Sequence, residues 1–169
     1  MVVESCAFTT RRLVVGDRHR VETDRLPRIV AGMLTPDVTR SLPPGWGGAY
    51  DEARAKRWIA DRDAEGTTLV VAEDGTAVGL VLLHEEAVSG GVDVRLGYLL
   101  AEHAWGRGLG GELLGGLVAR CRADPTLHAL IAGVAPDNIP SVRLLERHGF
   151  VLDDEEHGGG ELTYRLEVA

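Results

Sequence analysis

One stretch of the sequence, residues 94–118, constrains the fold more than any other. An apolar strand, residues 96–100, is followed by a glycine-dense loop, residues 105–111, and then by apolar residues at helical spacing. Glycines in such a loop let bare amide N–H groups approach a ligand. Because these amides open a helix, where unpaired donors and the positive dipole end favour anions, the loop predicts a phosphate-binding turn. The alternative is a tight strand-to-helix turn without a ligand.

The helix after this loop is unusually rich in glycine. Gly110, Gly111, Gly115 and Gly116 fall within it, and each weakens a helix by about 1 kcal/mol relative to alanine. We therefore expect a ligand or a strand to lie close against its first turns. The loop is not a Walker A sequence, because no Gly-Lys-Ser/Thr follows, and its mid-chain position makes it a poor Rossmann fingerprint.

A second motif, NIPSVRLLERHGF at residues 138–150, follows the loop. Together the two segments resemble the GNAT superfamily of acyl-CoA-dependent N-acyltransferases. The family's pyrophosphate motif, Gln/Arg-x-x-Gly-x-Gly/Ala, is matched at Trp105, Gly108 and Gly110. Trp105 in place of Gln or Arg is similar to the RimJ/RimL ribosomal-protein N-acetyltransferase branch. The second motif is matched by Asn138, Ser141, Leu144, Leu145, Glu146, Gly149 and Phe150.

The resemblance implies an α/β fold, with a mixed, mostly antiparallel sheet of about six to seven strands flanked by about four helices. The residue pattern agrees and predicts one domain over residues 1–169. Asp74-Gly75 between two apolar runs predicts a β-hairpin. Residues 127–135 are almost continuously apolar, as in a buried central strand, and residues 151–157 and 162–168 predict a closing hairpin.

The first third of the chain carries weaker signals. Residues 8–15 predict a first strand, which also resembles the Thr-x-Arg-Leu opening of the RimJ/RimL branch. Residues 17–33 are roughly helical in pattern, with Pro27 breaking or starting a helix. Residues 42–48 predict a loop from their prolines and glycines. Asp51 is expected to cap the next helix, in which Ala55, Trp58 and Ile59 share an apolar face.

The resemblance implies an acetyl-CoA-dependent N-acetyltransferase, in which a primary amine attacks the thioester directly in a ternary complex. The acceptor is expected to be a protein N-terminus or a small amine. Two alternatives stay open. The donor could be another acyl-CoA, such as succinyl-CoA, or the chain could be a non-catalytic CoA-binding module. The resemblance leaves a homodimer open as well, because many relatives dimerise.

The resemblance also implies which residues hold the cofactor. The main chain of Leu99 and Leu100 is expected to pair with the pantetheine arm. Asn138 is expected at a helix start, as an N-cap and as a pantetheine contact. For Arg107, a charge-assisted phosphate contact stands beside a solvated loop arginine. The remaining cofactor-binding candidates are Trp105, Gly106, Gly108, Leu109, Gly110, Gly111 and Ser141.

Acyl transfer needs proton transfer at both the amine and the thiolate. Many relatives place a proton-donating Tyr where this chain has Leu145, so Ser141 is the candidate acid, against an ordinary first-turn serine. Asp93 and His84 are the candidate bases. His84 could equally be an exposed strand-end residue, and a water chain could replace a base altogether.

Trp46 and Tyr50 lie in the segment where the resemblance implies the acceptor site. They are candidates for substrate contact or for aromatic packing within a loop.

Composition excludes several functions. A net charge of −8, from 26 acidic and 18 basic residues, argues against general nucleic-acid binding and is compatible with an amine substrate. Cys6 and Cys121 are too few and too separate for a disulfide framework or a metal site, and Cys121 is expected in the core. No run reaches membrane-span length and no signal-peptide pattern opens the chain, so we expect a cytoplasmic protein without a membrane partner.

Overall fold

The computed structural model describes residues 6–17, 25–153 and 160–168. Eight strands form one sheet in the order β1-β2-β3-β4-β5-β6-β8-β7. Only β5 and β6 run parallel, and the other neighbours are antiparallel. The strands are β1 (Phe8–Thr9), β2 (Leu13–Asp17), β3 (Thr67–Glu73), β4 (Thr76–Val88), β5 (Gly91–Leu100), β6 (Leu127–Val134), β7 (Val151–Leu152) and β8 (Leu162–Glu167). This confirms the predicted mixed, mostly antiparallel α/β class.

Helices cover both faces of the sheet. The described residues form five α-helices: α1 (Leu26–Met33), α2 (Pro36–Thr39), α3 (Glu52–Glu65), α4 (Leu109–Arg122) and α5 (Ile139–Arg147). The core on one face contains apolar side chains of α4 and α5, and the core on the other contains those of α1, α2 and α3. The sheet is therefore the middle of three layers.

Local signals in the sequence placed most boundaries correctly. Asp74 and Gly75 have φ angles of 49° and 77°, the left-handed pair that a two-residue hairpin between β3 and β4 requires. The Asp51 carboxylate accepts from the Arg54 amide at the start of α3. Pro27 lies in the first turn of α1, so it starts that helix. Residues 42–48 are irregular apart from one 3₁₀ turn (Pro44–Trp46).

The prediction of one strand over residues 8–15 is wrong. The Thr10 amide donates to the Leu13 carbonyl at 2.8 Å, and the Leu13 amide donates to Thr10 Oγ1 at 2.9 Å. A threonine side chain that bonds to nearby main chain competes with strand pairing. The segment therefore folds back as β1 and β2, which pair with each other. Residues 18–24, and Gly158 and Gly159 in the predicted closing turn, lie outside the described residues.

The glycines of α4 allow two neighbours to approach closely, as their number predicts. A Cβ at Gly116 would lie 2.4 Å from the Phe8 ring of β1, so only glycine fits beneath this strand. A Cβ at Gly110 would lie 3.2 Å from Leu144 of α5, and His148 lies beside Gly111 and Gly115. Both β1 and α5 therefore pack directly on the α4 backbone.

Cys6 and Cys121 are free and buried. Cys121 lies on α4 and packs into the core, as expected. The two thiols, far apart in the sequence, form a hydrogen bond with each other. This bond, together with burial, raises the pKa of Cys121. The two cysteines are thus neighbours in the fold, which their sequence separation does not indicate.

Candidate active site

The parallel strands β5 and β6 separate partway along their length. Their pairing ends at Leu96 and Ala132 in the described structure, while β6 continues beside β8 as far as Val134. A gap therefore opens in the middle of the sheet, bordered on one side by the last four residues of β5. The main chain along this border is a strand edge that an extended ligand can pair with.

Strand alternation decides which β5 groups face the gap. The Ala101 amide donates to Val78 of β4, and Leu99 is in register with Leu80 of β4. Because peptide groups of alternate residues point to opposite sides, those of Leu99 face β4 and those of Tyr98 and Leu100 face the gap. By this alternation Tyr98 and Leu100, and not the expected pair Leu99 and Leu100, present their main-chain groups to the gap. Pairing with a pantetheine arm stays a prediction.

The glycine loop lies between this gap and α4. Gly106 and Gly108 have φ angles of 69° and 75°, a conformation that favours glycine. Gly108 is the N-cap of α4 and provides no side chain to satisfy the amides of the first turn. The amides from Gly108 to Gly111 are therefore available to an anion at the positive end of the helix dipole. Leu109 is buried in the core, so only its main chain can contribute.

Trp105 and Arg107 make contacts within the protein. The Trp105 indole donates to the Leu100 carbonyl at 2.8 Å, which ties the loop to the end of β5. Arg107 forms an ion pair with Glu73 of β3 at 2.8 Å. This pairing is a third role for Arg107, beside the phosphate contact and the solvated arginine considered from the sequence.

A partly buried carboxylate, that of Glu112, fixes the first turn of α4. Glu112 accepts from the Thr10 hydroxyl at 2.6 Å, from the Arg12 amide at 2.7 Å and from Arg12 Nε at 2.7 Å. The hydrogen bond from Thr10, and then those from Arg12, lower the pKa of Glu112 to about 2. Arg12 also donates to the Arg107 carbonyl at 3.1 Å. The Thr-x-Arg segment thus holds both the helix and the loop.

Asn138 and Ser141 lie on the same face of the sheet as the loop. The Asn138 side chain accepts from the Ser141 amide at 3.3 Å, which confirms Asn138 as the N-cap of α5. The Tyr98 hydroxyl lies 3.4 Å from Ser141 Oγ and donates to it. Burial raises the pKa of Tyr98, so this phenol stays protonated at neutral pH. Leu145, where many relatives carry Tyr, is buried in the core.

A cavity of about 220 Å³ opens on the opposite face of the sheet. Gly97 and Leu82 lie at its floor, and Trp46 and His84 contribute to its walls. His84 Nδ1 lies 2.5 Å from the Glu65 carbonyl. Since a carbonyl only accepts, Nδ1 carries the proton and the neutral ring has its lone pair on Nε2. His84 lines the cavity and is exposed, which agrees with the strand-end alternative considered from the sequence. Its role as a base stays a prediction.

Of the two predicted aromatic residues, only Trp46 lines this cavity. Tyr50 packs beneath the Arg54 guanidinium, 4.1 Å from its ring centre. Tyr50 therefore matches the alternative considered from the sequence, in which an aromatic residue packs within the loop.

The structure places Asp93 on the same face of the sheet as His84, but in an ion pair. Asp93 is 6% exposed and pairs with Arg165 of β8 at 2.8 Å. It precedes Tyr98 by five residues, about 17 Å along a strand, so it points away from Tyr98 and to the face that holds His84, whose register partner Arg95 is two residues away. One oxygen pairs with Arg165, and the other, Oδ1, is buried without a hydrogen-bond partner among the described residues. The ion pair gives Asp93 a structural role, and its role as a base stays a prediction.

Comparison with known proteins agrees with this geometry. A family model described as an acetyltransferase (GNAT) domain matches residues 18–151. The chain belongs to the GNAT acetyltransferase family. A search of curated protein sequences found no significant match for this GNAT protein.

Solved structures share the whole GNAT fold at low sequence identity. A GNAT-family acetyltransferase from Bacillus anthracis is 17% identical with a TM-score of 0.77, covering 96% of this chain and 98% of its own. RimL, a ribosomal L7/L12 alpha-N-protein acetyltransferase in complex with CoA, is 15% identical with a TM-score of 0.72, covering 95% and 97%. Mycobacterium smegmatis RimJ with CoA-disulfide is 20% identical with a TM-score of 0.72, covering 92% and 81%.

Two further features of the described residues concern metal binding and membrane crossing. The described part of the chain contains no group of three His, Cys, Asp or Glu side chains placed to hold a metal ion. In the same residues, no helix is long and apolar enough to cross a membrane.

Proposed function

We propose that this chain is an acetyl-CoA-dependent N-acetyltransferase that acetylates a primary amine by direct attack within a ternary complex. One observation carries the proposal: the gap between β5 and β6 joins the glycine loop on one face of the sheet to the cavity on the other. A thioester arm threaded through this gap would meet an amine coming from the cavity. The RimL and RimJ neighbours support a protein N-terminus as one class of acceptor, beside small amines.

The residues fit the donor group. Amides from Gly106 to Gly111 would hold the pyrophosphate, and the main chain of Tyr98 and Leu100 would pair with the pantetheine arm. When bound, acetyl-CoA supplies an acetyl group activated as a thioester. A main-chain amide on the gap side of β5 is suited to stabilise negative charge on the carbonyl oxygen, because a fixed donor needs no reorganisation.

Two side chains are suited to the proton transfers. His84 Nε2 takes the proton of the attacking amine, either directly or through a water molecule. Ser141 donates its hydroxyl proton to the departing thiolate, and the Tyr98 hydroxyl hydrogen-bonds to Ser141 Oγ. The proton taken by His84 leaves to solvent and Ser141 regains a proton from solvent, so both groups return to their starting states. The C–N bond forms as the C–S bond breaks, leaving an amide and a free thiol.

Calorimetry with CoA tests the donor site. Gly108→Ala and Gly90→Ala each place a Cβ at a positive φ, 75° and 88°, where an L-residue costs about 1–2 kcal/mol. Both variants should lose similar stability, but only Gly108→Ala should weaken CoA binding, by about tenfold, because Gly90 lies in the turn at the far end of β5. Equal CoA affinity in the two variants, or no binding by the wild type, would count against the proposed donor site.

Turnover is measured as free thiol released from acetyl-CoA with a panel of peptides and small amines. Release that depends on the amine supports acetyl transfer, and faster release from succinyl-CoA would reassign the donor. CoA binding without release from any amine would identify a non-catalytic CoA-binding module.

A further inference from the structure

The cavity on the acceptor face contains buried donors that lack a hydrogen-bond partner among the described residues. Thr68 Oγ1 and Arg62 Nε are both buried in this way and both residues line the cavity. Thr68 is only 6% exposed. Trp58 Nε1 is a third unsatisfied donor, on a ring that packs against Trp46, and Asp93 Oδ1 is a buried acceptor without a partner among the described residues. Buried polar groups are nearly always satisfied in folded proteins, so this concentration of unsatisfied donors indicates a ligand that supplies acceptors.

The Arg62 side chain is held in a fixed orientation. Its guanidinium lies over the Trp46 ring at 4.6 Å and within 5.7 Å of the Trp58 ring. The Trp46 and Trp58 rings in turn pack edge to face, with centroids 5.1 Å apart. One nitrogen, Nη2, bonds Glu65 at 2.6 Å. Arg62 is thus preorganised, and its Nε–H is left for one acceptor oxygen.

The charge of the lining also favours an anion. Two guanidinium groups, Arg62 and Arg95, line the cavity together with one carboxylate, Glu65. Both arginines form ion pairs, Arg62 with Glu65 at 2.6 Å and Arg95 with Glu86 at 2.7 Å. Arg62 differs in that its Nε is buried without a hydrogen-bond partner among the described residues, so Arg62 is the cation assigned to the ligand. A volume of about 220 Å³ suits a small molecule, since it is below the usual range for drug-sized ligands.

We infer that the acceptor is a small amino carboxylate, whose carboxylate binds Arg62 Nε and Thr68 Oγ1 while its amine points toward Gly97 and the gap. The inference rests on the proposed N-acetyltransferase function and narrows its substrate. His84 pairs with Arg95, two residues from Gly97 along β5, or about 7 Å. A molecule spanning a few bonds between amine and carboxylate can therefore contact both the anion site and the base.

Matched acceptor pairs test this inference. α-Amino acids and ω-amino acids of increasing length are each compared with the amide of the same carbon skeleton, and peptides with free N-termini are included. Thiol release should give a kcat/KM at least tenfold higher for the carboxylates than for their amides. Equal or better turnover of amides or peptides would overturn the inference but leave N-acetylation intact. No release with any amine would overturn both.

Two variants test whether Arg62 and Thr68 cause the preference for carboxylate acceptors. Arg62→Gln should remove the difference in kcat/KM between each carboxylate and its amide, because it removes the charge that distinguishes them. Thr68→Val should raise the KM for the carboxylate about fivefold without changing CoA affinity. It should fold at least as stably as the wild type, because it deletes an unsatisfied hydroxyl of nearly the same shape. A raised KM with unchanged stability would show that Thr68 contacts the ligand and is not needed for the fold.

The matched control is Thr76→Val, at the exposed start of β4, which should change neither KM nor stability. A Thr68→Val protein with wild-type KM, or with a KM changed equally for carboxylate and amide, would overturn the assignment of Thr68 and with it the carboxylate site.

Discussion

Arg12 and Glu112 act as a pair at the start of α4, and their energetics should depend on pH. The pKa of Glu112 lies at about 2, against an ordinary 4.5. A carboxylate whose pKa is lowered by folding stabilises the protein fully above its ordinary pKa, and this stability is lost as pH falls through the folded value. Glu112→Gln should therefore be less stable than the wild type at pH 7, by about 2 kcal/mol for a charged hydrogen-bond network.

Urea denaturation across pH tests this prediction. The difference in unfolding free energy between wild type and Glu112→Gln should decrease below about pH 4.5 and disappear near pH 2. Arg12→Ala should also weaken CoA binding, because it leaves a negative charge in the first turn of an anion-binding helix. The double variant Arg12→Ala with Glu112→Gln should recover part of that affinity. A difference in unfolding free energy between wild type and Glu112→Gln that does not change with pH would contradict this account.

Ser141 and Tyr98 should differ in how much they contribute to turnover. Ser141→Ala removes the proposed proton donor to the thiolate, so kcat should fall about 100-fold, at the low end for general acid catalysis. Tyr98→Phe removes only the hydroxyl behind it and should lower kcat less. Calorimetry should show unchanged CoA affinity in both variants. If thiol release by Ser141→Ala matches the wild type, Ser141 is an ordinary helix serine.

Among the elements, α4 shows how a sequence preference can be reversed by packing. Alanine is about 1 kcal/mol better than glycine inside a helix, yet Gly116→Ala should destabilise the protein by about 1–3 kcal/mol. The reason is the Phe8 ring, 2.4 Å from the position of the new Cβ. Chemical denaturation measures the change.

The same helix provides the control. Gly115 would place its Cβ 3.5 Å from His148, an ordinary contact, so Gly115→Ala should be neutral or stabilising. If both variants gain stability, β1 does not pack on α4 as described.

The elements that the sequence predicted well are those whose signals are local. The Asp74-Gly75 turn and the Asn138 and Asp51 caps each depend on residues within a few positions of each other. The first strand was predicted wrongly because Thr10 bonds back to Leu13, a choice that periodicity does not reveal. The glycine count in α4 indicated a close neighbour but could not identify it as β1 and α5.

At the scale of the whole molecule, contacts between segments far apart in the chain could not be predicted from the sequence. The Thr10 hydroxyl and the Glu112 carboxylate are 102 residues apart, and Arg62 meets Trp46 only because α3 packs on the preceding loop. Asp93 was chosen as a base from its neighbours in one strand, and its partner Arg165 lies on another. The glycine loop was predictable because one continuous segment forms it, whereas several segments form the cavity on the opposite face of the sheet.

The layered architecture also predicts a kinetic pattern. Donor and acceptor would enter from opposite faces of the sheet, so neither should block the other. Initial velocities at varied acetyl-CoA and amine should give intersecting double-reciprocal lines, as expected when both are bound together. Parallel lines, the pattern of a covalent acetyl-enzyme, would contradict direct transfer.

The separation of β5 from β6 has a consequence for inhibition. A single compound that joins a pantetheine-like arm to an acceptor-like head would pass through the slit and occupy both sides of the sheet at once. Because the first half would hold the second at a high effective concentration, such a compound should bind more tightly than either half alone. Its linker would need to be no wider than an extended chain, since the two strands define the aperture.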